Sequence, residues 1–124
     1  MEVPPKDFQS THREDLPIFV KWMDFVKWLL VTSDHFPKKA RFTFTDRLLN
    51  LALMVVEDFV EARYSKNKII ALKRANMNLE KMRVFIRICY ESRFLSRKSY
   101  EHASYCINEV GKMLGGWIKQ QGGL

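Results

Sequence analysis

Residues 66–93, KNKIIALKRANMNLEKMRVFIRICYESR, decide the fold. The stretch holds neither proline nor glycine, and apolar residues recur at Leu72, Ala75, Leu79, Met82, Ile86 and Cys89, the spacing of one face of an α-helix. The spacing predicts a helix over 66–93 with Ser65 as its N-terminal cap. The four prolines lie at 4, 5, 17 and 37 and the five glycines at 111, 115, 116, 122 and 123, so residues 38–110 are free of both. Long helices are expected on either side of the quoted stretch.

Pro17 suits a first helical position, because its missing N–H would be unsatisfied there anyway, and a helix is read from it towards Val31 with Phe19, Trp22, Val26 and Leu29 on one side. Pro37 marks the connection to a second helix from about 45 to 64, capped by Thr43 or Thr45. Its inner side carries Leu48, Ala52, Val55, Val56 and Phe59, while Glu57, Asp58 and Glu61 read as a solvated face. A fourth helix starts near Ser96 or Ser99 and runs to about Gln120 through Ala103, Cys106, Ile107, Val110, Leu114 and Trp117, with Gly122 and Gly123 ending it. Gly111 and Gly115, four apart, permit a close backbone approach, with bending or fraying near Trp117 as the alternative.

At 124 residues, 47% apolar and 28% charged, the chain fits one domain and excludes a multidomain enzyme. No strand alternation competes, so the expected fold is all-α: an antiparallel up-down four-helix bundle over 17–121. A flexible or partner-ordered arm over 1–16 and a tail over 122–124 complete the chain. The opening is polar and Pro-rich, no apolar run is long enough to cross a bilayer, and the two cysteines show neither metal-site spacing nor scaffold density. A reduced, cytoplasmic chain without membrane association is expected.

The quoted stretch also carries a second apolar stripe. At about 100° per residue, Ile70, Met77, Val84 and Ile88 lie roughly opposite the first. One bundle needs only one stripe from each helix, so this side is expected to join copies of the chain or a partner helix, unless the first helix wraps over it or its apolar groups stay singly exposed, as some do on any surface. The same helix holds the charge excess. The whole chain is +7, and residues 66–93 alone, with eight Lys and Arg against two Glu, are +6. Lys66, Lys73, Arg74, Lys81, Arg83 and Arg87, together with Lys38, Lys39 and Arg41 of the first connection, are the candidate nucleic-acid contacts. Several phosphates neutralised at once would give affinity with little sequence preference. The aromatic residues Phe42, Phe44, Tyr64, Tyr90 and Tyr105 offer stacking surfaces, though most read as packing.

Chemistry finds less support. His12, His35 and His102 are far apart, no metal-ligand motif or phosphate-binding glycine loop occurs, and the Glu57, Asp58 and Glu61 group reads as solvated. His102 and Cys106, four apart on one helix, are read as packing or capping. No enzyme, cofactor or metal is therefore expected.

The segment Phe36-Pro37-Lys38-Lys39-Ala40-Arg41-Phe42 followed by a long helix resembles the FPKxxR entry of four-helix proteins related to ribosomal-RNA intervening-sequence proteins. Within that group, Ile107-Asn108-Glu109-Val110 and the following GKMLGGWI of residues 111–118 look like the terminal helix of accessory variability determinant proteins of diversity-generating retroelements. The resemblance extends over about residues 17–120. It implies protomers assembled into a pentameric barrel that contact a reverse transcriptase and bind RNA and complementary DNA during mutagenic reverse transcription. The polymerase active site then belongs to the partner. Lys38 and Arg41 match the basic positions of the loop motif. The ribosomal-RNA-linked branch and a structural adaptor for an acidic protein remain the alternatives.

Overall fold

A computed structural model describes residues 16–122. It contains four helices, α1 (Pro17–Ser33), α2 (Asp46–Tyr64), α3 (Ile69–Glu91) and α4 (Arg97–Gln120). Short links join them up and down, each helix packs on its neighbours in the chain, and α4 closes the ring against α1. The arm expected over 1–16 lies outside the described residues except for Leu16, as do the last two residues of the expected tail.

Helix ends follow local chemistry. Pro17 opens α1 as read, and Ser96 caps α4 by accepting a hydrogen bond from the Ser99 N–H at 3.1 Å. Thr43 and Thr45 do not cap α2. The chain passes from a 3₁₀ turn over Lys38–Ala40 into a π-helical turn over Arg41–Thr45, and the Thr45 hydroxyl donates instead to the Ser33 carbonyl at 3.4 Å. Nor does Ser65 cap α3, which starts three residues later than expected. The Asn67 side-chain carbonyl accepts from the Ile69 N–H at 3.3 Å, and Lys66 belongs to the connection. Lys68 turns back, its ammonium donating to the carbonyls of Ala62 (2.6 Å), Arg63 (3.2 Å) and Ser65 (2.9 Å). A cation thereby satisfies carbonyls that the end of α2 leaves open. At the far end of α3, Arg93 takes a left-handed conformation (φ 67°), with Phe94 N–H bonded to Cys89 O at 2.8 Å and Arg93 N–H to Tyr90 O at 3.0 Å. That pair of bonds ties off the helix and turns Phe94 back onto the core.

The core is a single cluster drawn from all four helices. Every residue of the first α3 stripe, from Leu72 to Cys89, is buried. Trp22 is wholly buried and its indole N–H donates to the Ala52 carbonyl at 2.9 Å, pinning α1 to α2. Tyr90 and Tyr100 stack nearly parallel, 4.3 Å between centroids, where α3 meets α4.

The reading of Asp58 is corrected as well. Asp58 does not belong to a solvated face with Glu57 and Glu61, being only 3% exposed. Its carboxylate accepts hydrogen bonds from Arg74 at 2.9 Å and from the buried Asn78 at 3.3 Å, so the charge enters the α2–α3 interface with its partners supplied. The glycines of α4 do not bring backbones together within the protomer. A Cβ at Gly115 or Gly116 meets nothing within 4 Å, and one at Gly111 lies 3.0 Å from the flexible end of Arg83, while the helix runs through to Gln120.

Candidate functional site

The second stripe of α3 is on the surface. Ile70, Met77, Val84 and Ile88 are 64%, 58%, 57% and 38% exposed, and α1 lies elsewhere, packed on α2 and α4. α3 therefore has an apolar inner side that holds its own bundle and an apolar outer side left to water in the protomer, an arrangement that marks interaction surfaces.

The nine candidate cations fall into three places. Lys38, Lys39 and Arg41 are exposed in the connection between α1 and α2. Lys66 lies in the connection between α2 and α3, at the opposite end of the bundle. The remaining five lie along α3. Three of those five have acids beside them: Arg74 bridges Asp58 (2.9 Å) and Glu61 (3.2 Å), Arg87 bonds Glu91 (2.8 Å), and Arg83 pairs with Glu80. Lys73 and Lys81 are exposed and have no acid partner among the described residues.

The topology adds residues that the charge pattern did not single out. The connection between α3 and α4 sits at the same end as Lys38, Lys39 and Arg41, since Phe94 contacts Phe36 and Phe44, each with 6.0 Å between centroids. This brings exposed Arg93 and Lys98 to the same end of the bundle, neither with an acid partner among the described residues, alongside Arg97, which bonds Glu101 at 2.9 Å. Phe42 stands in the first of these connections with 85% of its surface exposed. An aromatic face among cations is the combination that holds a phosphate chain and stacks an unpaired base. Phe44 and Tyr90 are packing residues, as most of the aromatic set was expected to be, whereas Tyr64 and Tyr105 are exposed but lie away from this end. The signal for Arg93 and Lys98 was available in the up-down order itself, which sends the first and third connections to one end.

Other titratable groups serve packing. His102 Nε2 and Cys106 Sγ are 3.5 Å apart, as their spacing predicted, and the imidazole ring lies 4.7 Å from that of Trp28. Burial pushes the Cys106 thiol up, opposed by Lys21, and pushes Cys89 up to about 11, so neither environment favours a thiolate nucleophile. Among the described residues no group of three His, Cys, Asp or Glu is placed to hold a metal ion, and no helix is long and apolar enough to cross a membrane.

Burial also raises the Asp58 carboxyl above its ordinary value, against the lowering effect of the Arg74 and Asn78 hydrogen bonds. Asn78→Ala is therefore expected to cost about 2–3 kcal/mol at about pH 7, since a charged oxygen loses its buried donor. A carboxyl whose folded pKa lies above its unfolded one contributes most below the unfolded value and loses that contribution as pH rises through the folded one. Removing Asn78 drives the folded value higher still. The deficit against wild type should thus shrink on acidification towards about pH 5 in urea unfolding, and a deficit that grows would show that Asp58 is not the group affected.

A family model described as bAvd-like matches residues 18–121, which takes in all four helices but for the first residue of α1. No curated protein matches the chain.

Proposed function

Because the chain belongs to the bAvd-like family, that of the accessory variability determinant proteins, which are non-enzymatic accessories, we propose that it acts as an oligomeric adaptor in mutagenic reverse transcription within a diversity-generating retroelement. In this reading the chain binds a reverse transcriptase together with RNA and complementary DNA, and several copies, five by family likeness, close into a barrel. The observation that carries the proposal is the two-sided α3. Its outward stripe of Ile70, Met77, Val84 and Ile88 is exposed, with no covering element among the described residues, and forms the seam between copies. Assembly would then repeat the basic end of the bundle around the oligomer. Separate sets of Lys38, Lys39, Arg41, Arg93 and Lys98 would sum into one positive field.

The phosphate contacts are assigned first to that end, because Lys38, Lys39, Arg41, Arg93 and Lys98 there are exposed, have no acid partner among the described residues and are accompanied by Phe42. Arg74, Arg83 and Arg87 have their charge balanced by acids on the same chain and contribute less to a distant phosphate.

Native mass spectrometry of the full chain, with binding to a structured RNA and to its complementary DNA across a salt series, tests the proposal. The expected results are an oligomer at micromolar concentration, binding that weakens steeply with salt, and co-purification with the reverse transcriptase of the same element. A monomer that binds neither nucleic acid at low salt would overturn it.

A further inference from the structure

α3 is not the only helix with an apolar outer side. On α2, Leu53, Met54 and Val60 are 51%, 42% and 42% exposed, and Glu57 stands among them, one turn from Leu53 and from Val60. An open groove of about 860 Å³, lined by Phe42, Asn50, Leu53, Met54 and Glu57 among others, runs beside them. Within one protomer the two outer stripes cannot cover each other. The Arg74 bridges to Asp58 and Glu61 lie between them and fix α2 against α3 with both stripes facing out.

The charges beside the stripes are opposite. Lys73 and Lys81 flank the α3 stripe on its two sides, and neither has an acid partner among the described residues; Glu57 on α2 likewise has no cation partner. A two-fold pairing of α3 with α3 would bring lysines near lysines, and one of α2 with α2 would bring Glu57 near its own copy, both unfavourable. We infer that the outer stripe of α3 seats on the outer stripe of α2 of a second copy, with Lys73 and Lys81 meeting Glu57 on that stripe.

Such a contact is heterologous. It leaves α2 free on one copy and α3 free on the other, so it repeats until the rotation closes a ring, which a two-fold contact cannot do. The inference rests on the oligomeric reading above and names the surface that the α3 seam meets. It also sets Lys73 and Lys81 apart from the phosphate contacts, because their charge is used between subunits.

Two single variants and their mixture test the pairing by native mass spectrometry. Leu53→Asp disables the α2 side and Met77→Asp the α3 side, both at exposed positions, with helical circular dichroism confirming that each folds. Each alone is expected to be monomeric, and an equimolar mixture is expected to give a one-to-one dimer and nothing larger, since one sound α2 meets one sound α3. A wild-type monomer would overturn the oligomeric reading itself. A wild-type oligomer with Leu53→Asp assembling unchanged would overturn the pairing alone. Charge exchange provides an independent check. Glu57→Lys is expected to raise the half-assembly concentration on the order of tenfold or more, and adding Lys81→Glu to the same chain should recover most of the loss. Absence of any recovery, with both variants folded, would also overturn the pairing.

Discussion

Trp22→Ala is expected to lower the stability of the folded chain by about 3–5 kcal/mol, the largest effect of any single core truncation here. The side chain is wholly enclosed, it lies 4.9 Å from the Phe25 ring between centroids, and its N–H is committed to Ala52 O across the α1–α2 interface. Neighbouring aromatic rings are too rigid to collapse into the space, so most of the cavity should persist. A domain of this size is stable by only about 5–15 kcal/mol, so a loss of this order takes a large fraction of the whole. Trp22→Phe should fall between alanine and wild type, because it restores most of the volume but forfeits about 1 kcal/mol of hydrogen bond. Urea unfolding at one fixed protomer concentration is the measurement, since association adds stability that varies with concentration. An alanine variant within about 1 kcal/mol of wild type would mean that α1 is not locked into the core through this residue.

The elements that could be read from the residues were those set by local chemistry. Pro17, Ser96 and Gly122 placed three helix ends, and the recurrence from Leu72 to Cys89 identified the buried side of α3. The second stripe of α3 was legible for the same reason: at helical spacing, an apolar row opposite the core has nowhere within one four-helix bundle to go. Asp58 reads as solvated by residue type alone, and its buried partner Asn78 carries no signal of its own in residue type. Position argued otherwise, since Asp58 is three residues from Val55 and four from Ala62, and Asn78 three from Ala75 and four from Met82, all buried. The start of α3 is not legible from helical spacing, because Lys68 is used in the turn, where its ammonium satisfies carbonyls at the end of the preceding helix three to six residues back. Charge totalled along the chain likewise favoured α3, although three of its arginines are paired and part of the unpaired charge gathers where two connections meet.

That redistribution gives the sharpest functional expectation. Replacing Lys38, Lys39 and Arg41 together by alanine removes three exposed cations from one end of the bundle while sparing the core, whose nearest member there is Ala40. If each contacts a phosphate, the slope of log K against log salt should fall by about 2 for single strands, at roughly 0.7 per contact. The same arithmetic gives a loss on the order of a hundredfold in affinity near 0.1 M salt. Phe42→Ala acts through a different force and should separate from it. Losing a stacking face is expected to weaken single-strand binding by about 1–3 kcal/mol while leaving the salt slope and duplex binding almost unchanged, because no counterion is released by an aromatic ring. Arg87→Ala is the control, since Glu91 already balances that charge on the same helix, and its slope should stay close to that of wild type. Fluorescence anisotropy with a labelled single strand and a labelled duplex, each over a salt series, resolves the three cases. A triple variant that retains the wild-type slope would move the phosphate contacts away from this end of the bundle, whatever the oligomer does.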